Sequence, residues 1–337
     1  MMSFRICALK EDKSYAIKEK LNVKIRLDLS INPLGPPERV KEFIKSLDLS
    51  NIQRYPEPAQ LPELKREAAN FFGMNPDNIM ITSGADQAIE ITLFHLLDPR
   101  DKIAVKIPTF PRFEIIARNL CDANVTNFTD IENIPEAKVI VLCTPNNPTT
   151  EEISRKTIIK ILEENEDKTL IIDSVFGSFG KENIDDLVNK FDNLIVLKSL
   201  SKDFGLAGLR IGFILSQKEN IEILESGIAP FRVPTFIQEI AAEALKDKKH
   251  IEKTKKFLKQ EIEFIKSHLA DRIIQETVLP FFLFKTSDSI QFKKDLLARG
   301  ISIVDGSSFK GLDKGLARVA IGKHEDNIEF IKEVKKI

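Results

Sequence analysis

The 337-residue sequence has no tryptophan, two tyrosines, three cysteines and four histidines. Each scarcity excludes something. Cys7, Cys121 and Cys143 are odd in number and far apart, which argues against a disulfide frame and against a zinc cluster. The histidines show no ligand spacing, so no metal is expected. No apolar run approaches the roughly 18 to 20 residues of a membrane span. Early charges at Lys10, Glu11, Asp12 and Lys13 are unlike a signal peptide. Charge of one sign is also lacking: 50 Lys and Arg face 51 Asp and Glu, a formal −1. That balance gives no electrostatic reason to expect nucleic acid or a membrane surface as a partner. A soluble protein in a reducing cytoplasm is the expectation.

What is present is a large supply of core. With 42% hydrophobic residues, a chain of this length buries a sizeable interior and is expected to divide in two. A short strand at Ile25 to Leu29 leads into a proline-rich loop, Ser30 to Pro37, and a helix to about Leu47. After a helix from about Leu61 to Phe72, short apolar runs alternate with helical patterns. Strands are expected at Asn78 to Thr82, Lys102 to Ile107, Val139 to Cys143, Thr169 to Asp173, Asn193 to Leu197 and Ile211 to Leu215. Helices are expected at Asp86 to Leu97, Phe110 to Leu120 and Ser154 to Glu164. Such alternation predicts βαβ units and a mostly parallel sheet covered on both faces, with ligands beyond the carboxyl ends of the strands. After Pro230 and Pro234 the pattern changes. Two long helices, Thr235 to Leu245 and Ile251 to Leu269, precede strands at Phe281 to Lys285, Ile301 to Val304 and Leu316 to Ile321. Helices at Ser289 to Arg299 and from about Glu325 complete the chain. The expected fold is α/β: a large domain (33–228) in an α/β/α sandwich, plus a smaller discontinuous α+β domain (1–32 and 229–337).

The chain is organised around Ser199-Leu200-Ser201-Lys202-Asp203-Phe204-Gly205-Leu206-Ala207-Gly208-Leu209-Arg210, set between two apolar runs. A lysine there reads as a partly desolvated amine of depressed pKa, able to condense with an aldehyde. Taken alone, Lys202 would more readily be one surface cation among many. The whole string resembles the lysine signature of fold-type I pyridoxal-phosphate enzymes, the class I and II aminotransferase superfamily. It is most similar to the histidinol-phosphate aminotransferase branch, with likeness to threonine-phosphate decarboxylases.

The resemblance implies pyridoxal 5'-phosphate as cofactor, a small-molecule amino donor, a 2-oxo acid acceptor, and a homodimer with shared active sites. Lys202 would join the cofactor's aldehyde as a Schiff base and later carry the proton at the substrate's α-carbon. Asp173, ending Leu170-Ile171-Ile172, would hold the ring nitrogen protonated, and Asn147, in Pro145-Asn146-Asn147-Pro148, would bond the phenolic oxygen. Gly84, Ala85 and Asp86, opening a helix, would receive the phosphate on backbone N–H groups, with Gln87 as a further contact. Ser199, Ser201 and Arg210 would complete that cup. Phe110 would stack on the ring, with Phe113 as the alternative. Tyr55 would reach the neighbouring subunit's cofactor. Arg318 would bind the substrate carboxylate, and Asn32 would line the substrate mouth.

Two departures stand out against this family. Phe176 occupies a place usually held by tyrosine, which removes a hydroxyl from beside the phenolic oxygen. Val304 stands where an arginine usually helps to receive the anionic end of the substrate, and Pro280 where histidinol-phosphate enzymes tend to have asparagine. Ser30 to Gly35 and Ser308 to Asp313 resemble the decarboxylases, and Ser14 to Lys18 the histidinol-phosphate branch. Three readings follow: a transaminase, a decarboxylase using the same residues, and a regulator that kept the fold. Intact Lys202, Asp173 and Arg210 speak against the last.

Overall fold

The computed structural model describes residues 23–50, 52–56, 62–275 and 277–337. Cys7 and the run Ser14 to Lys18 lie outside the described residues.

Twelve strands and eleven helices alternate along the described chain. The strands are β1 (Ile25–Arg26), β2 (Ile79–Thr82), β3 (Lys102–Lys106), β4 (Asn124–Phe128), β5 (Val139–Cys143), β6 (Thr169–Asp173), β7 (Leu194–Ser199), β8 (Gly212–Leu215), β9 (Phe281–Lys285), β10 (Ile301–Ser302), β11 (Val304–Asp305) and β12 (Leu316–Ala320). The helices are α1 (Glu38–Lys45), α2 (Pro62–Phe72), α3 (Gly84–Leu96), α4 (Arg112–Asn119), α5 (Arg155–Glu164), α6 (Leu200–Asp203), α7 (Lys218–Ser226), α8 (Thr235–Leu245), α9 (Lys248–Leu269), α10 (Ser289–Ala298) and α11 (His324–Val334).

Seven strands form one sheet in the order β2-β8-β7-β6-β5-β3-β4. Only β8 runs antiparallel to its neighbours in it. The central strands are apolar on both faces because helices cover both. Ile140, Leu142, Leu170, Ile172, Leu194 and Val196 face a core completed by α2, α5 and α8. Their alternates, Val139, Val141, Ile171, Ile195 and Leu197, face a second core built with α3, α4 and α7. This period of two is the pleat read directly from the sequence.

A third core lies around β9, β11 and β12, an antiparallel three-stranded sheet, with the β1–β10 pair and helices α9, α10 and α11. Its floor is phenylalanine: Phe281, Phe282, Phe284 and Phe330 are fully buried. The expected division at residues 228 and 229 meets a difference here. Val233, the buried face of α8 and Ile251 pack into the first core, and the third begins at Leu258. Helix α9, 22 residues and so about 33 Å long, therefore serves both cores.

Three elements are additional to the sequence reading, the strand β4 and the helices α6 and α7. Edge strand β4 (Asn-Val-Thr-Asn-Phe) is mostly polar, so it carries little apolar signal. Helix α7 buries only Ile221 and Leu224. The run Ile301 to Val304 also divides, β10 pairing with β1 and β11 with β12.

Candidate active site

The parallel strands end at one edge of the sheet, and their last residues converge there. A cavity of about 270 Å³ opens beyond them, lined by residues from the ends of β5, β6 and β7, the start of α3, and the segments around Leu29 and Arg318. The site is built from chain endings that cannot continue as strand or helix, which is where unpaired backbone groups and polar side chains are available.

Lys202 sits in the short helix α6, half-buried at the cavity wall. Its Nζ donates to the main-chain carbonyl of Leu29 at 2.8 Å. Burial lowers its pKa to about 8, and the Arg318 and Arg210 guanidinium groups push it the same way. A fraction of the amine is thus neutral near neutral pH, the form that attacks a carbonyl. The other lysine nearby, Lys198, is buried and held by Asp185 Oδ1 at 3.0 Å, with Ser174 Oγ at 3.4 Å. One lysine faces the cavity and the other is locked beneath it.

Asp173 closes β6 with 6% of its surface exposed. Burial raises its pKa to about 6, against the pull of the Val175 N–H, which donates to Oδ1 at 3.1 Å. A carboxylate left so poorly compensated is a ready partner for a buried cation. Arg318, on β12 and also buried, donates from Nη1 to Asn147 Oδ1 at 2.7 Å and from Nη2 to the Asp28 carbonyl. Its guanidinium lies 5.5 Å from the ring centres of both Phe281 and Phe309, an arrangement that fixes the plane of the fork.

At the other end of the cavity, α3 begins at Gly84 with φ +80°. A Cβ there would come within 2.7 Å of Arg210 Nη2, so the glycine makes room for the guanidinium beside the helix N-terminus. Arg210, itself left-handed at φ 54°, donates from Nη2 to Asp86 Oδ2 at 3.0 Å. Ser199 and Ser201 complete this corner, their hydroxyls 2.9 Å apart. Free N–H groups, a guanidinium and two hydroxyls make an anion cup. Ala85, Asp86, Phe110, Phe176, Asn147, Ser199, Ser201 and Arg210 all line the same cavity as Lys202, Asp173 and Arg318.

Four expected or alternative contacts are placed elsewhere. Asn32 is 2% exposed, and its amide is spent on structure: Nδ2 donates to the Asp203 carbonyl at 2.9 Å and to Thr254 Oγ1 at 3.2 Å, and Oδ1 accepts from the Leu34 N–H at 3.0 Å. It is a staple between the N-terminal loop, α6 and α9, not part of the cavity wall. Gln87 accepts from the Ser83 N–H and so caps α3. Phe113 is fully buried in the core, which leaves Phe110 at the cavity. Tyr55 is 81% exposed and stacks on Phe231 at 4.9 Å, away from its own chain's cavity lining. Pro280 is buried outside the lining, whereas Val304 is part of it.

Asp28, Leu29 and Ser30 are cavity residues that the sequence reading missed. Leu29 acts through its carbonyl, which no side-chain motif announces. Ser30 turns the chain at φ 48°. The staple predicts a stability effect. Asn32→Ala strands the Asp203 carbonyl and the Leu34 N–H and should cost roughly 2 to 4 kcal/mol in a urea titration. An unchanged midpoint would show that the staple contributes nothing.

The comparisons with known proteins agree with this geometry. The family model described as aminotransferase class I and II matches residues 22–334. A histidinol-phosphate aminotransferase of Methanococcus aeolicus is 32% identical, over 93% of this chain and 90% of that protein. Among solved structures, the L-threonine-O-3-phosphate decarboxylase of Porphyromonas gingivalis has a TM-score of 0.80 at 23% identity, covering 93% of this chain and 98% of that one. The Sinorhizobium meliloti histidinol-phosphate aminotransferase in complex with pyridoxal-5'-phosphate has a TM-score of 0.81 at 16% identity, covering 93% and 91%.

The residues present fit pyridoxal 5'-phosphate. The cup beside Gly84 suits its phosphate, buried Asp173 its ring nitrogen, and Lys202 its aldehyde. The fold is that of fold-type I enzymes, and aminotransferases of this kind depend on that cofactor and act on small amino and keto compounds. The chain belongs to the class I and II aminotransferase family, and it is a pyridoxal-phosphate-dependent enzyme of that family.

Proposed function

We propose that the enzyme transfers an amino group from an amino acid or an amino phosphate to a 2-oxo acid, with Lys202, Asp173 and Asn147 as its catalytic residues. The observation that carries this reading is one cavity holding a depressed lysine, a buried aspartate and an arginine fork. Pyridoxal 5'-phosphate, when bound, supplies an aldehyde to hold the amino group and an electron-poor ring that takes up the electron pair of the broken bond. The rest falls to the protein. Ala85, Asp86, Ser199, Ser201 and Arg210 would hold the phosphate end. Phe110 would cover the ring, and Asp173 would keep its nitrogen protonated. Arg318 binds the substrate's carboxylate while Asn147 holds the guanidinium in plane. With the cofactor bound, Lys202 Nζ would be the group that takes and returns the proton at the substrate's α-carbon. The Leu29 carbonyl, 2.8 Å from Nζ, would accept from the free neutral amine and leave its lone pair for that proton.

The relative's name raises histidinol phosphate as a donor. Against it stands the charge of the wall: the cationic side chains lining the cavity among the described residues are Lys202, Arg210 and Arg318. The first holds the aldehyde and the second lies in the phosphate cup. One guanidinium remains for substrate, and Val304, its partner across the β11–β12 pair, adds no charge. A donor with one carboxylate therefore suits the site better than a phosphate ester. A homodimer in the cytoplasm is part of the same reading. Tyr55 and Phe231, stacked and exposed, are placed as aromatic residues are at an interface.

The test is a donor screen that includes histidinol phosphate and threonine phosphate, with pyruvate and 2-oxoglutarate as acceptors, on enzyme whose sedimentation is measured alongside. The expected outcome is a 2-oxo product from an amino acid, without carbon dioxide, by a species of twice the 38.2 kDa chain mass. Stoichiometric carbon dioxide would make the enzyme a decarboxylase, and an active monomer would remove the shared site.

A further inference from the structure

Beside the Arg318 fork the cavity wall includes Asp28, an acidic residue whose side chain is 12% exposed. Both of its oxygens are occupied by a single partner. Arg26 Nε donates to Oδ1 and Nη2 to Oδ2, each at 2.7 Å, a bidentate pair with side chains 32% and 12% exposed for arginine and aspartate. Arg26 lies on β1, which pairs with β10 at Ser302, two residues before cavity-lining Val304. Arg26 is not among the residues that line the cavity, and its guanidinium reaches them only through the Asp28 carboxylate. Arg318 is bound to the same segment, through the Asp28 carbonyl.

This order matters. Were Arg26 in front, it would offer a second fork to any anion entering beside Arg318. With Asp28 in front, an incoming carboxylate or phosphate meets a like charge first, and the guanidinium behind is already engaged in the geometry it prefers. For a substrate with a single carboxylate that like charge is offset by the Arg318 guanidinium. For a dianion the pair repels and withholds its cation at once, which is how a site rejects the wrong ligand.

We propose that Asp28 sets specificity: by holding the Arg26 fork it closes the site to donors and acceptors that bring a second anionic group, so the enzyme takes amino and 2-oxo acids with one carboxylate. This deepens the transaminase reading above and rests on it.

Calorimetric titration of the cofactor-loaded enzyme with two unreactive acids, 3-phenylpropionate and glutarate, tests it. Wild type should bind the monocarboxylate more tightly. Asp28→Asn releases the fork, and glutarate affinity should rise about tenfold to a hundredfold relative to 3-phenylpropionate, the scale of a hydrogen bond to a charged group. Arg26→Gln leaves Asp28 without its counter-charge and should move the ratio the opposite way. A ratio unmoved in both variants would reduce the pair to a structural contact, and a wild-type preference for glutarate would overturn the proposal even if neither variant folds. Failure of the transaminase reading would show separately, as absence of a 2-oxo product in the donor screen, whatever the binding ratio.

Discussion

Replacing Lys202 with alanine should lower kcat by about 10⁴-fold or more, because one side chain both carries the cofactor and moves the proton at the α-carbon. The size of the effect follows from the surroundings. Among the described residues, Lys202 is the only lysine that lines the cavity, and its amine is held near a pKa of 8 by burial and by two guanidinium groups. Lys198 cannot take over. It points beneath the sheet edge into an ion pair with Asp185, with 7% and 8% of the two side chains exposed. Freeing it would leave a buried carboxylate uncompensated, at a cost of several kcal/mol. Steady-state kinetics with the preferred donor measure the loss. A variant retaining more than about one part in a hundred of wild-type kcat would mean that another group does the proton transfer, since general acid–base catalysis alone is worth 10²- to 10⁴-fold.

Asp173→Asn should do two opposite things: make the cofactor-free protein more stable at pH 7 and the loaded enzyme at least about a hundredfold slower, on the scale of a lost charge partner at a reacting group. The native carboxyl titrates at about 6, raised by burial. Between about pH 4 and pH 6 the folded state therefore holds more protons than the unfolded chain, whose aspartates titrate near 3.9. Stability is highest below this window, falls as pH rises through it, and stays lower above. Asp203, also raised to about 6 by burial, adds to the same slope. Removing the Asp173 charge should recover roughly 2 to 3 kcal/mol at pH 7 and almost nothing at pH 4. Thermal melts of both proteins at the two pH values, with kinetics of the loaded forms, read out both halves. If asparagine brings no gain at pH 7, Asp173 is not the strained, cation-seeking group described here.

Much of this was legible in the sequence for a definite reason. In a parallel sheet covered on both faces each strand is a short apolar run, and the residue where the run stops marks the sheet edge at which ligands gather. Asp173, Ser199 and the Ser83-Gly84 turn are such stops, and all three lie at the cavity or its rim. The misses are equally physical. Asn32 was expected at the substrate mouth from the resemblance, and nothing local in the sequence announces its structural bonds. Its partners, Asp203 and Thr254, are 171 and 222 residues away. The Leu29 carbonyl and the Arg26–Asp28 fork depend on which way β1 faces, and a two-residue strand carries no periodicity to tell. The sequence does not tell which core α8 joins, since it is apolar enough for either, and packing puts its buried face in the larger one.

The central claim is that the cofactor is carried by residue 202 and by no other. Loading the protein with pyridoxal 5'-phosphate, reducing it with borohydride and mapping its peptides by mass spectrometry measures this directly. The account predicts one phosphopyridoxyl group per chain, on the peptide containing Lys202. Label on Lys198, label spread over surface lysines, or no label at all would contradict it.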